Sequence, residues 1–149
     1  MTTSPTKNPG DILGSTDWNS FTIGNTQIQS NYQEIVFIID GSGTAITTGV
    51  KGDLEVPFNC TITSATLLAD QTGSVVVDIW KDTYANYPPT VADTITSVTP
   101  PTISSAIKSQ DNTLSGWTTT MTRGETLRFN VNSCTTITRV QLSLKVTKT

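Results

Sequence analysis

Apolar and polar residues alternate with a period of two through most of the chain beyond residue 33. The clearest case is Val140, Leu142, Leu144 and Val146, at every second position of the run from Ile137 to Val146. A period of two sends side chains to opposite faces of a pleated strand, so such a run reads as a β-strand with one face in a core. Threonine is frequent among the polar positions, and its β-branched, stiff side chain suits a pleated surface.

The pattern predicts further strands with turns between them. Ile35-Val36-Phe37-Ile38-Ile39 is apolar on both faces, as expected of a strand covered on two sides or held in a subunit contact. Asp40-Gly41-Ser42-Gly43 ends it. Ala45 to Val50, a turn at Lys51-Gly52-Asp53, and Leu54 to Phe58 follow, with Pro57 marking an edge or a bulge. Phe58, Cys60 and Ile62 share one parity and should face the core, in a strand that runs to about Leu68. Asp70-Gln71-Thr72-Gly73 reads as a turn from which Ser74 to Trp80 returns as a hairpin.

Residues 81 to 112 are a long excursion, in which Pro88-Pro89 and Pro100-Pro101 exclude a continuous helix and Thr94 to Val98 can form a short strand. A connection of that length in a compact domain usually has a function, here expected to be a contact. Thr113 to Thr120, a turn near Arg123-Gly124, Thr126 to Val131 and a loop through Cys134 lead to the final strand. About eight short strands without a helical segment predict an all-β fold, an antiparallel β-sandwich over residues 34–149 with the jelly roll as the leading topology.

Residues 1–33 read differently. Pro5, Pro9, Gly10, Gly14 and Gly24 interrupt a polar stretch that predicts an extended arm with one short strand around Phe21 to Ile28. Ile12, Leu13, Trp18, Phe21 and Ile23 are its expected contact residues, pressed against a neighbouring subunit or a larger assembly.

Composition narrows the function. The 149 residues fit one domain, 35% are hydrophobic and only 14% charged. Hydroxyls and amides therefore cover the surface, and little charge repulsion opposes close association. Nine basic against twelve acidic residues give a net charge of −3 without any basic cluster, which argues against nucleic acid as a partner. The longest apolar run is too short for a bilayer, and Met1 to Lys7 lacks the regions of a signal peptide, so synthesis in a cytoplasm and no membrane partner are expected.

The chain has no histidine, which removes the commonest general base and metal ligand, and no catalytic residue, metal or cofactor is expected. Cys60 and Cys134 read as small buried residues, with a disulfide as the lesser alternative. Asp40, Asp53, Asp70 and Glu125 sit in or beside expected turns, where carboxylates cap backbone amides. Asp78 lies mid-strand and should be solvent-exposed or paired with Lys81 or Arg128. Asp40-Gly41-Ser42-Gly43 lacks the ligand pattern of a calcium loop. Trp80 and Trp117 are expected in the core, whereas Tyr84 and Tyr87, in the long excursion, are the better candidates for touching another molecule.

Val56-Pro57-Phe58-Asn59-Cys60-Thr61-Ile62, the stretch from Leu67 to Asp82, Tyr87-Pro88-Pro89, Gly116-Trp117-Thr118-Thr119 and Leu127-Arg128-Phe129-Asn130-Val131 together resemble a β-rich domain of tailed-bacteriophage virion proteins. The resemblance spans about residues 45–149 and carries no catalytic residues. It implies a virion component exposed on the particle surface and often trimeric. Two functions follow as expectations. One is a capsid decoration or cement protein, a homotrimer held to the major capsid protein or other virion proteins by its arm. The other is a tail-fibre or receptor-binding module that recognises host surface glycans through residues 81–112.

Overall fold

A computed structural model describes residues 31–149 of the chain; Ile12, Leu13, Trp18, Phe21 and Ile23 lie outside the described residues. The strands are β1 (Tyr32–Asp40), β2 (Gly49–Glu55), β3 (Cys60–Asp82), β4 (Thr102–Asp111), β5 (Thr120–Met121), β6 (Thr126–Thr135) and β7 (Arg139–Lys148). They join in one seven-stranded sheet in which every pairing is antiparallel. Helical structure among the described residues is confined to short 3-10 segments at Tyr84–Asn86 and Val91–Asp93. The all-β, antiparallel class is what the alternation predicted.

The sheet is curled, and its pairings show how. β6 and β7 lie end to end along one edge of β3, from Asp82↔Thr126 to Ser74↔Thr135 and on from Ala69↔Val140 to Cys60↔Lys148. β1 and β2 lie end to end along the far side of β7 and β6. β4 follows the other edge of β3 through both parts. Long ribbons, each bent near its middle, thus give a first half ordered β1-β7-β3-β4 and a second half ordered β2-β6-β3-β4. These orders are compatible with a jelly roll.

One hydrophobic core serves both halves. Ile35, Leu67, Leu142 and Val146 from the first join Val77, Ile79, Leu127 and Val131 from the second. Phe37 of β1 stacks on Phe129 of β6 with ring centroids 4.1 Å apart and planes 12° from parallel. Stacking of this kind adds to the gain of about 1.5–3 kcal/mol for burying each large apolar side chain.

Several expected details change. Ser74 to Trp80 does not return on the preceding strand, because Asp70-Gln71-Thr72-Gly73 bends β3 without reversing it. The bend is fastened to the bend between β6 and β7. The Gln71 side-chain amide donates to the Thr136 carbonyl, the Thr136 hydroxyl donates to the Thr72 carbonyl at 3.0 Å, and Asp70 accepts from the backbone amides of Thr138 and Arg139 at 3.2 and 3.0 Å. The Thr138 hydroxyl also donates to Asp70 and is the main reason its carboxyl sits below the ordinary range.

Lys51-Gly52-Asp53 is likewise no turn. It lies inside β2, where the register slips between Val50 and Gly52 and the chain runs on along β6. A second irregularity between Ile62 and Ser64 switches the inward parity from Cys60 and Ile62 to Ala65 and Leu67. Cys134 belongs to β6 rather than to a loop, and Thr102–Asp111, expected within the excursion, forms β4. Ile35–Ile39 is covered on one face only. Ile35 and Ile39 are buried and Phe37 half-buried, whereas Val36 is 41% and Ile38 58% exposed.

Candidate functional site

Two outward faces carry the features that bear on function. On the second half, Asp53 of β2 stands directly opposite Arg128 of β6. The pair is bidentate, with Arg128 Nε 2.7 Å from Asp53 Oδ1 and Nη2 2.8 Å from Oδ2. Tyr87 comes over this pair from the excursion. Its hydroxyl donates to Asp53 Oδ2 at 2.7 Å and accepts from Arg128 Nη2 at 3.2 Å, and the guanidinium lies 5.4 Å from the ring centroid. Tyr87 therefore fastens its loop to the sheet, while Tyr84 stays 84% exposed.

The Arg128 hydrogen bond is the leading cause that holds the Asp53 carboxyl below the ordinary carboxylate range. The folded protein therefore binds fewer protons at Asp53 than the unfolded chain does. Its contribution is present above the unfolded pKa and is lost as pH falls through the lowered folded one. Arg128→Gln is expected to destabilise by about 0.5–1 kcal/mol at neutral pH, in keeping with an exposed ion pair. Urea unfolding of both proteins across pH checks this: the difference should shrink below the folded pKa, and a pH-independent difference would refute the assignment.

Asp78 faces outward from β3 on the same half, yet it is buried and forms no ion pair with another described residue. Lys81 pairs instead with Glu125 at 2.9 Å, and Arg128 with Asp53. Asp78 Oδ1 accepts from the Ile79 amide at 2.8 Å and from the Thr94 and Thr96 hydroxyls at 2.6 Å, and Oδ2 accepts from the Trp80 indole at 2.7 Å. The segment around Thr94 is thereby bonded to the free edge of β3, where the Ile95 amide donates to the Ile79 carbonyl at 2.9 Å. The expected short strand near Thr94 is a single bridge, and the expected salt bridge to Asp78 is replaced by neutral donors. Trp117 is buried as expected, and its indole donates to the Thr99 carbonyl at 3.0 Å, whereas Trp80, also expected in the core, is half-buried on the outward face opposite Arg128.

The first half presents a different face. Glu34 of β1, Lys145 of β7 and Ser64 of β3 stand in one cross-strand row. Val36, Ser143, Thr66 and Gln110 form the next row, and Ile38, Gln141, Leu68 and Lys108 the one after. Hydroxyls and amides bond along it, with Gln110 Nε2 donating to Thr66 Oγ1 at 2.9 Å and Gln141 Nε2 to Ser143 Oγ at 3.1 Å. Its apolar end is Val36, Ile38 and Leu68, the last 46% exposed. None of these rows is visible before the register is known, because parity within one strand says nothing of its neighbours.

The remaining candidates serve the fold. Asp40 accepts from the Ser42 amide at 2.6 Å, as expected of a turn carboxylate, and Glu125 from the Thr122 amide at 2.7 Å. Asp53 and Asp70 lie inside strands and not in turns, and Asp53 and Glu125 are each paired with a cation. Cys60 and Cys134 are free thiols, and burial pushes both up from the ordinary thiol value. No group of three or more Cys, Asp or Glu that could hold a metal occurs among the described residues, and none of their helices is long and apolar enough to cross a membrane. No protein-family model and no curated protein matches the chain.

Proposed function

We propose that the chain is a structural protein of a tailed-bacteriophage virion, a decoration protein that trimerises on the outer shell and is clamped to the capsid by its N-terminal arm, the part of residues 1–33 that precedes β1. The observation that carries this reading is the outward face of β1. Val36, Ile38 and the neighbouring Leu68 are exposed apolar residues amid hydroxyls and amides, a surface suited to packing against another protein at little cost in desolvated charge. The jelly-roll sandwich, the trimer and the particle surface belong to the same reading, supported by the ladder orders and by the resemblance over residues 45–149.

A second reading, the tail-fibre module, is favoured by the long excursion, where Tyr84, Val91 and Val98 are all exposed. Purified capsids separate the two. Removal of residues 1–30 is expected to abolish capsid occupancy while the remaining chain keeps its β circular dichroism. Full occupancy by the shortened chain, or antibody label on the tail of intact virions, would overturn the decoration reading.

A further inference from the structure

We infer that the outward face of the first half holds a binding site for a neutral saccharide unit, at the end opposite Ile38 and Leu68. Glu34, Lys145 and Ser64 form one row across β1, β7 and β3, and Asn112 prolongs it, because the preceding Asp111 stands opposite Ala65. With strands about 4.7–4.9 Å apart, the row is roughly 14–15 Å long. Together with Tyr32 and Thr63 these residues line a cavity of about 590 Å³. Small-molecule sites span about 300–1,000 Å³.

The chemistry of the lining selects the ligand. Ser64 is 4% exposed, and its hydroxyl is the buried side-chain polar atom without a hydrogen-bond partner among the described residues. Buried polar groups are nearly always paired, so an unpaired hydroxyl on a residue that lines a cavity points to a polar ligand. Among the described residues that line the cavity, the charges of Glu34 and Lys145 cancel, so a charged ligand gains little over a neutral one from them.

A carboxylate only accepts and an ammonium only donates, whereas a serine hydroxyl and an asparagine amide do both. Vicinal sugar hydroxyls, each donor and acceptor, satisfy such a mixed set together. The Tyr32 ring, 74% exposed at the mouth, offers the flat surface against which the C–H face of a pyranose packs. The site lies apart from residues 81–101 and does not rest on the decoration reading.

Titration of the isotope-labelled full chain with N-acetylglucosamine, galactose and glucose, followed by amide chemical shifts, tests the site. Saturable shifts centred on Tyr32 to Glu34, Thr63, Ser64, Asn112 and Lys145 are expected for at least one of these sugars. Ser64→Ala should weaken binding about tenfold, the effect of one lost hydrogen bond, while the melting temperature holds or rises because an unpaired buried hydroxyl is gone. Asn112→Ala should weaken binding similarly. The inference is overturned if no neutral sugar gives saturable shifts, if glucuronic acid binds more tightly than glucose, if the shifts fall on Tyr84 to Val98 instead, or if both variants bind as the parent does.

Discussion

Asp78→Ala is expected to destabilise the protein by about 3–5 kcal/mol, a large share of the roughly 5–15 kcal/mol that holds a domain of this size together. The carboxylate is the common acceptor for the Ile79 amide, the Trp80 indole and the Thr94 and Thr96 hydroxyls. Alanine leaves these donors facing one another in a buried space, and each donor deprived of its acceptor costs about 1–3 kcal/mol unless water enters. Asparagine is a partial remedy at best. One of its terminal atoms is an NH₂ group that must face either the indole or the backbone amide, so about half of the loss should remain.

Two measurements separate this from generic core damage. Denaturant unfolding gives the size of the loss. Hydrogen exchange gives its place, since the Ile95 amide, bonded to the Ile79 carbonyl, should lose protection well before the β3–β6 ladder does. A loss below about 1 kcal/mol would mean that solvent already serves these donors.

Gly73→Ala is expected to be comparably severe, by a different mechanism. Gly73 sits at the bend of β3, pressed against the bend between β6 and β7. A methyl group there would lie 2.5 Å from the Thr135 carbonyl oxygen and 2.8 Å from Ile137 Cγ1, and would also strike the Thr136 hydroxyl. The Thr135 oxygen is backbone and accepts from the Ile137 amide at 2.8 Å, so it cannot yield without opening the bend. Overpacking of this kind costs about 3 kcal/mol or more where the neighbour is backbone. Gly124 is the control. Its φ is +89° and no atom lies within 4 Å of the added carbon, so Gly124→Ala should cost only the left-handed backbone penalty of about 1–2 kcal/mol. Similar unfolding midpoints for the two variants would show that the bend is pliable.

The same residues show what the sequence discloses and where it stops. Val140, Leu142, Leu144 and Val146 are all buried in β7, because a strand with one face in the core must alternate. The bend at Asp70-Gln71-Thr72-Gly73 misled because turn-forming residues favour any sharp change of direction, and whether the chain reverses or continues depends on a partner some sixty positions away. β4 escaped notice because it is an outer strand: only Ile103 is fully buried, and the positive φ of Ser105 breaks its alternation. The irregularity between Ile62 and Ser64 hid a change of parity that no single-strand reading detects.

The face sites follow the same logic. Tyr87 was picked out for its place in the long excursion, and its hydroxyl is bound to Asp53 and Arg128. Asp78 was picked out for its place in a strand, but its partners are threonines and an indole instead of a cation, since Arg128 is already opposite Asp53. Ser64, one serine among many, gains meaning only from the row in which it stands.

The ribbon formed by β6 and β7 lies between β1–β2 on one side and β3 on the other, yet it is the last of them to be synthesised. Until residues 126–148 have left the ribosome, β1 and β2 have no strand to pair with and β3 lacks the neighbour along its full length. Folding of the sheet must therefore wait for these last two strands, and its distant pairings favour slow formation. In the interval, Ile35 to Ile39 and Ser74 to Trp80 are exposed apolar strands, and the threonines and serines scattered among the later strands help keep the waiting chain in solution.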